Sequence, residues 1–152
     1  MKNKLLIILL ICLTSCGYSP IYQNVKSNDL AINIVSYNGN AEMNDLIKNE
    51  LDLYFNSESE NKYDVSFNTN YEKRIISKDN SGTASSYQLF VETNFSVITK
   101  NKKDNFLFTE RLNLENNPDT FAQKNYEDII KRNFASSIRE KLILKLSIIN
   151  DY

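Results

Sequence analysis

Apolar and polar positions divide this chain into six segments with two different periods. Ala31, Ile32, Ile34 and Val35 form a short apolar run suited to a strand, and Asn38-Gly39 breaks it. From Asn40, a residue suited to cap a helix, Met43, Leu46, Ile47, Leu51, Tyr54 and Phe55 recur at helical spacing and define one stripe, which ends in the polar stretch 56–61. Tyr63, Val65, Phe67, Thr69 and Tyr71 then alternate with Asp64, Ser66, Asn68, Asn70 and Glu72, the period of a half-buried strand. The continuation 73–77 is less regular, and "KDNSGTAS" at 78–85 has the composition of an exposed loop. Tyr87, Leu89, Val91, Thr93, Phe95 and Val97 give a second alternating strand, with a turn expected at 100–105. A third strand places Phe106, Phe108, Leu112 and Leu114 on one side and closes at "ENNPD", 115–119. In the last segment Tyr126, Ile130, Phe134, Ile138, Leu142 and Leu146 step by four, flanked by Ile129 and Ile149, and predict a long helix of about six turns.

Strand, helix, three strands and long helix each carry one apolar face. Two helices covering one side of a four-stranded sheet bury every stripe at once, an α+β fold of order β-α-β-β-β-α with a mixed or antiparallel sheet. The first helix should return the chain to the sheet by a right-handed crossover, and the last three strands should form a meander. The other face of the sheet should then be polar, from Gln88, Glu92, Asn94 and Ser96, with Phe90 and Ile98 pointing the same way. Those two are either ordinary exposed apolar residues or part of a contact surface. No internal repeat and no second domain is visible.

The N-terminal end is of another kind. Lys2 and Lys4 precede an apolar run from Leu5 to Leu13, and the small residues Thr14 and Ser15 lead directly into Cys16. This is the order of an export signal, and the run is about half the roughly 20 residues needed to span a bilayer. Leu-Thr-Ser-Cys resembles the lipobox of bacterial lipoproteins, which implies that residues 1–15 are removed and that acyl chains are attached to Cys16. Cys12 leaves with the leader, so the remaining cysteine is the modified one and no disulfide forms. Several acyl chains, at about 0.8 kcal/mol per buried methylene, make a durable anchor. Gly17 stands where, by resemblance to enteric lipoproteins, an aspartate would signal inner-membrane retention. The expected location is therefore the periplasmic side of the outer membrane. Residues 16–28 serve as lipidated start and tether, and 29–152 form one domain.

Composition narrows the chemistry. Without Lys2 and Lys4, 16 basic residues face 19 acidic ones, a formal charge of −3, and no basic block stands out, which disfavours nucleic-acid binding. Histidine is absent and the remaining cysteine is the anchor, so the commonest general base, the common transition-metal ligands and a thiol nucleophile are all missing. Carboxylates such as Glu58 and Glu60, or Asp119 and Glu127, lie in polar or helical stretches where solvated charge is the ordinary explanation. The three glycines, Gly17, Gly39 and Gly82, are too far apart for a phosphate loop. No enzyme, no metal and no cofactor beyond the acyl chains are expected.

"CGYSPIY", 16–22, resembles the mature start Cys-Gly-Phe-x-Pro-Leu-Tyr of one branch of the LptE family of lipopolysaccharide-assembly lipoproteins, with Tyr18 and Ile21 as mild replacements. The order of elements is similar over nearly the whole remaining chain, and "NSGTASSYQLFVETNFSV", 80–97, looks like the family's polar loop entering a strand. Ser86 stands where many relatives carry an arginine. The resemblance implies a non-catalytic factor that plugs and helps assemble a large outer-membrane β-barrel, LptD, and assists lipopolysaccharide on its way to the outer leaflet. Candidate contacts to the barrel or to lipid phosphates are Lys73, Arg74, Lys78, Ser81, Gly82, Thr83 and Phe90; Lys100, Lys102 and Lys103 fit better as solvated turn lysines. An auxiliary lipoprotein of a periplasmic ABC-type lipid or solute transport system is the alternative.

Overall fold

In the computed structural model, which describes residues 30–55, 59, 61–99 and 102–150, the elements run β1 (Leu30–Gly39), α1 (Ala41–Asp52), β2 (Asn61–Lys78), β3 (Ala84–Thr99), β4 (Lys102–Glu115) and α2 (Thr120–Asn150). The leader, Cys16, the tether and Lys100 lie outside the described residues. The sheet has the order β1-β2-β3-β4: β1 is parallel to β2, and the other two pairings are antiparallel.

A parallel pair cannot be closed by a tight turn, which is why α1 lies between β1 and β2. The turn out of β1 depends on Gly39 at φ 99, where a Cβ would lie 2.1 Å from the Thr69 carbonyl oxygen. The Asn40 amide donates to that same carbonyl at 2.8 Å, and the Asn40 side chain accepts from the Met43 amide at 3.0 Å, capping α1 as its position predicts.

One cluster joins Ile32, Tyr63, Val65, Phe67, Leu89, Val91, Phe95 and Val97 of the sheet to Met43, Ile47 and Leu51 of α1 and to Phe134, Ile138, Leu142 and Leu146 of α2. Both helices therefore cover one face. An aromatic row crosses all four strands, Tyr37–Phe67–Phe95–Phe108, with ring centroids 5.6, 5.4 and 5.9 Å apart. The buried Thr69 and Thr93 hydroxyls satisfy each other at 3.2 Å. α1 and α2 run side by side in the same direction, tied by Glu42–Lys131 at 2.8 Å and Glu50–Arg139 at 3.3 Å.

Several expectations change in detail. The predicted stripe of the long helix starts a turn late: Tyr126 and Ile129 are exposed and apolar burial begins at Ile130, while the first turns of α2 meet the sheet through polar groups, the buried Gln123 and Glu127 with Lys73. Phe55 is exposed just beyond the end of α1, and Leu112 is exposed on edge strand β4. The expected loops shrink to turns, since β2 continues to Lys78, β3 starts at Ala84 and β4 starts at Lys102. From Glu72 onward β2 has no buried residue, so the β2–β3 hairpin outruns the core while its ladder continues.

Candidate functional site

The expected contact residues all fall on this hairpin and on the open sheet face next to it. The hairpin tip is built by Asp79. Its carboxylate Oδ1 accepts from the Ser81 amide (2.9 Å), the Ser81 hydroxyl (2.6 Å) and the Thr83 amide (2.9 Å). The Asp79 carbonyl takes the Gly82 amide at 3.0 Å, and the Asp79 amide donates to the Thr83 carbonyl at 2.8 Å. The Ser81 and Thr83 bonds hold the Asp79 carboxyl below its ordinary range. Gly82 has φ 84 and no atom within 4 Å of where a Cβ would stand, so its role is conformational and its surroundings are open. Below the tip, the Ser77 hydroxyl lies 2.6 Å from that of Ser85 and 2.5 Å from that of Ser86. This is a braced turn.

The cations separate into two groups. Lys73 points to the helix-covered side, where its ammonium meets Glu127 and lies 4.2 Å from the centroid of Tyr87. Burial opposes ionisation of Glu127, but the bonds from Lys73 and Gln123 outweigh it and hold that carboxyl below its ordinary range. Next to it the buried Tyr71 hydroxyl has no partner, and burial with the nearby Glu127, Glu42 and Asp128 pushes its pKa up to about 12. Lys73 thus staples the hairpin base to α2. Arg74 and Phe90 are on the opposite, open face, with the guanidinium 5.3 Å from the ring centroid and 2.5 Å from Glu72. Asn70 and Arg74 lower the Glu72 pKa.

Register adds a residue that sequence reasoning missed. Phe90 pairs with Glu72 on one side and with Arg111 of β4 on the other, so an arginine flanks the ring across the strand. Only the β3–β4 register reveals this. Lys78 and Arg111 are exposed, and neither enters an ion pair among the described residues. Away from Phe90 the open face carries cross-strand rows of amides and hydroxyls with one carboxylate, Glu92: Ser36–Ser66–Ser96–Asn105, Asn68–Asn94 and Asn70–Glu92–Thr109. Leu107 and Ile98 are its other exposed apolar residues on β3 and β4.

Of the carboxylates singled out in the sequence, Glu58 and Glu60 lie outside the described residues, and Asp119 and Glu127 have structural tasks. Asp119 Oδ1 accepts from the Phe121 and Ala122 amides at 2.9 and 3.1 Å, capping α2, and Glu127 receives Lys73. Among the described residues no group of three or more metal-ligating side chains comes together, and no helix is long and apolar enough to cross a membrane.

A family described as LptE, lipopolysaccharide-assembly, matches residues 28–146. No curated protein matches the chain. Among solved structures, the chain is similar to rare lipoprotein B from Shewanella oneidensis, at 16% identity and TM-score 0.56, covering 78% of this chain and 96% of that one. Lipoprotein B from Nitrosomonas europaea is similar at 12% identity and TM-score 0.54, over 82% and 88% of the two chains. A minor lipoprotein from Acinetobacter baumannii follows at 15% identity and TM-score 0.50, over 74% and 93%.

Proposed function

Since the chain belongs to the LptE family of lipopolysaccharide-assembly proteins, we propose that it is a non-catalytic lipoprotein that plugs and helps assemble an LptD-like β-barrel and assists lipopolysaccharide insertion. Acyl chains on Cys16 hold it to the periplasmic side of the outer membrane, and no other cofactor takes part. The observation that carries this reading is the open sheet face. A barrel lumen is lined by polar side chains, and a plug must meet it with donors and acceptors rather than a greasy surface. The rows of Ser66, Ser96, Asn68 and Asn94 supply these from a rigid sheet, leaving Phe90 as a local apolar contact. Tethering beside the barrel raises the effective concentration of the plug without any new contact.

The braced tip at Ser81, Gly82 and Thr83 leads into the lumen. Lys78 and Arg111 are the cations for lipid phosphates, since Lys73 is committed to Glu127 and Arg74 to Glu72. The tagged protein purified in mild detergent should bring with it one large β-barrel protein, and its depletion should reduce surface lipopolysaccharide. Recovery of soluble periplasmic transport components alone would favour the ABC-type auxiliary reading. Unchanged surface lipopolysaccharide on depletion would end the assembly role.

A further inference from the structure

The two poles of the domain differ in a way the plug reading does not use. Four contacts mark one layer near the start of β1. The Ile32 amide donates to the Tyr54 carbonyl at 3.0 Å, Ile32 pairs with Tyr63, the Tyr63 hydroxyl donates to the Leu146 carbonyl at 3.3 Å, and one residue further along β2 Asp64 pairs with Ile98. Leu53 and Phe55 flank Tyr54 and are 74% and 68% exposed; Ile148, just past Leu146, is 48% exposed. These are large apolar side chains left uncovered at the pole where the chain arrives from Cys16. Exposed lysines sit among them: Lys62 beside Tyr63, Lys103 opposite Ile98, and Lys145 beside Leu146. Among the described residues none of the three enters an ion pair.

The opposite pole also exposes apolar residues, Phe121 and Ile129. There, however, Glu115, Asp119 and Asp128 are mixed with Lys124, Lys131 and Arg132, and Lys131 pairs with Asp128 at 3.6 Å. At the first pole Asp52 and Asp104 are paired with Lys48 and Lys102, so among the described residues Lys62, Lys103 and Lys145 outnumber the unpaired Asp64, and this excess of cations distinguishes two poles that hydrophobicity alone does not.

We propose that the β1-start pole rests on the lipid surface, with Leu53, Phe55 and Ile148 in the headgroup layer and Lys62, Lys103 and Lys145 against anionic headgroups. Apolar side chains ringed by lysines fit the membrane interface, where the two contributions add. The length of chain agrees. From Cys16 to Leu30 the backbone reaches at most on the order of 50 Å when fully extended, so a lipid-anchored Cys16 keeps this pole near the bilayer. The geometry rests on the reading of Cys16 as the anchor, but the affinity of the pole itself does not.

The test uses the chain from residue 16 onward with Cys16→Ser, so that no acyl chain contributes, floated with vesicles of phosphatidylethanolamine and phosphatidylglycerol. The protein should float with these vesicles, and less with phosphatidylcholine alone or at high salt. Replacing Leu53, Phe55 and Ile148 with serine should lower the bound fraction on the order of tenfold, with the far-ultraviolet spectrum unchanged because these residues are exposed. Lys62→Gln, Lys103→Gln and Lys145→Gln together leave the core untouched and should abolish the preference for anionic vesicles. Phe121→Ser with Ile129→Ser should stay within about twofold of the parent. Absence of flotation, or an equal loss from the Phe121 and Ile129 variant, would overturn the proposal. Failure of the anchor reading would register elsewhere, as missing acyl mass on the natural chain.

Discussion

The two faces of the central strands are made of alternate residues of the same sequence, and they do opposite work. On β2 and β3 the covered face carries Val65, Phe67, Val91, Phe95 and Val97, each at most 3% exposed. One position along, the open face carries Ser66, Asn68, Asn94 and Ser96. Each fully buried apolar side chain contributes about 1.5 to 3 kcal/mol, so stability is concentrated on the covered face. The open face is thereby free to carry recognition. On the proposed reading, a substitution there should change what the domain can meet without changing whether it folds, and a substitution one residue away should do the reverse.

The largest expected effect falls under the helices. Ile138 has no exposure, and Ile138→Asp places a carboxylate where no cation waits, so destabilisation should exceed about 4 kcal/mol and abolish a cooperative thermal transition. Gly39→Ala comes next. Its Cβ would collide with the Thr69 carbonyl at a φ that side chains avoid, and a urea melt should show a loss of about 2 kcal/mol or more. Asp79→Ala removes the acceptor of three bonds at the hairpin tip but no core contact; a smaller loss than for Gly39→Ala is expected, with faster amide exchange confined to the turn.

The smallest effect is visible only against pH. Glu127 has a depressed folded pKa, so its contribution is full above the unfolded value of about 4.3 and is lost as pH falls through the folded value. Glu127→Gln should therefore cost under about 1 kcal/mol at neutral pH and flatten the acid limb of stability below about pH 4.3. An acid limb identical to the parent's would remove Lys73–Glu127 as the staple.

Local periodicity was enough to read the element order, because each strand and helix shows its buried face within its own segment: Tyr63 to Thr69, Leu89 to Val97, and Ile130 to Leu146 are all buried at the predicted spacing. What depends on other segments was not legible. The predicted apolar row of β4 is interrupted by Glu110, which alternation puts on the helix side and which is satisfied there by the Ser137 hydroxyl at 2.6 Å and Lys141 at 2.5 Å, partners from 27 and 31 residues away. The hairpin past Glu72 reads as irregular because it is held by ladder bonds and serine hydroxyls rather than by an apolar face. At the candidate site, Phe90 was visible from alternation. Arg111 beside it was not, since the neighbour is fixed by register across strands. That Lys73 is committed to Glu127 likewise follows only from where α2 begins.

Asn94 gives the sharpest test of the division between the faces. It is exposed at the middle of the open face between Asn68 and Leu107, while its chain neighbours Thr93 and Phe95 are fully buried. Asn94→Trp adds a large wedge to the face and nothing to the core. Melting temperature and the yield of co-purified β-barrel should be measured on the same variant. An unchanged melting temperature with barrel recovery reduced on the order of tenfold is the expected result. Barrel recovery at the parent level from a folded Asn94→Trp protein would contradict the assignment of this face to the partner.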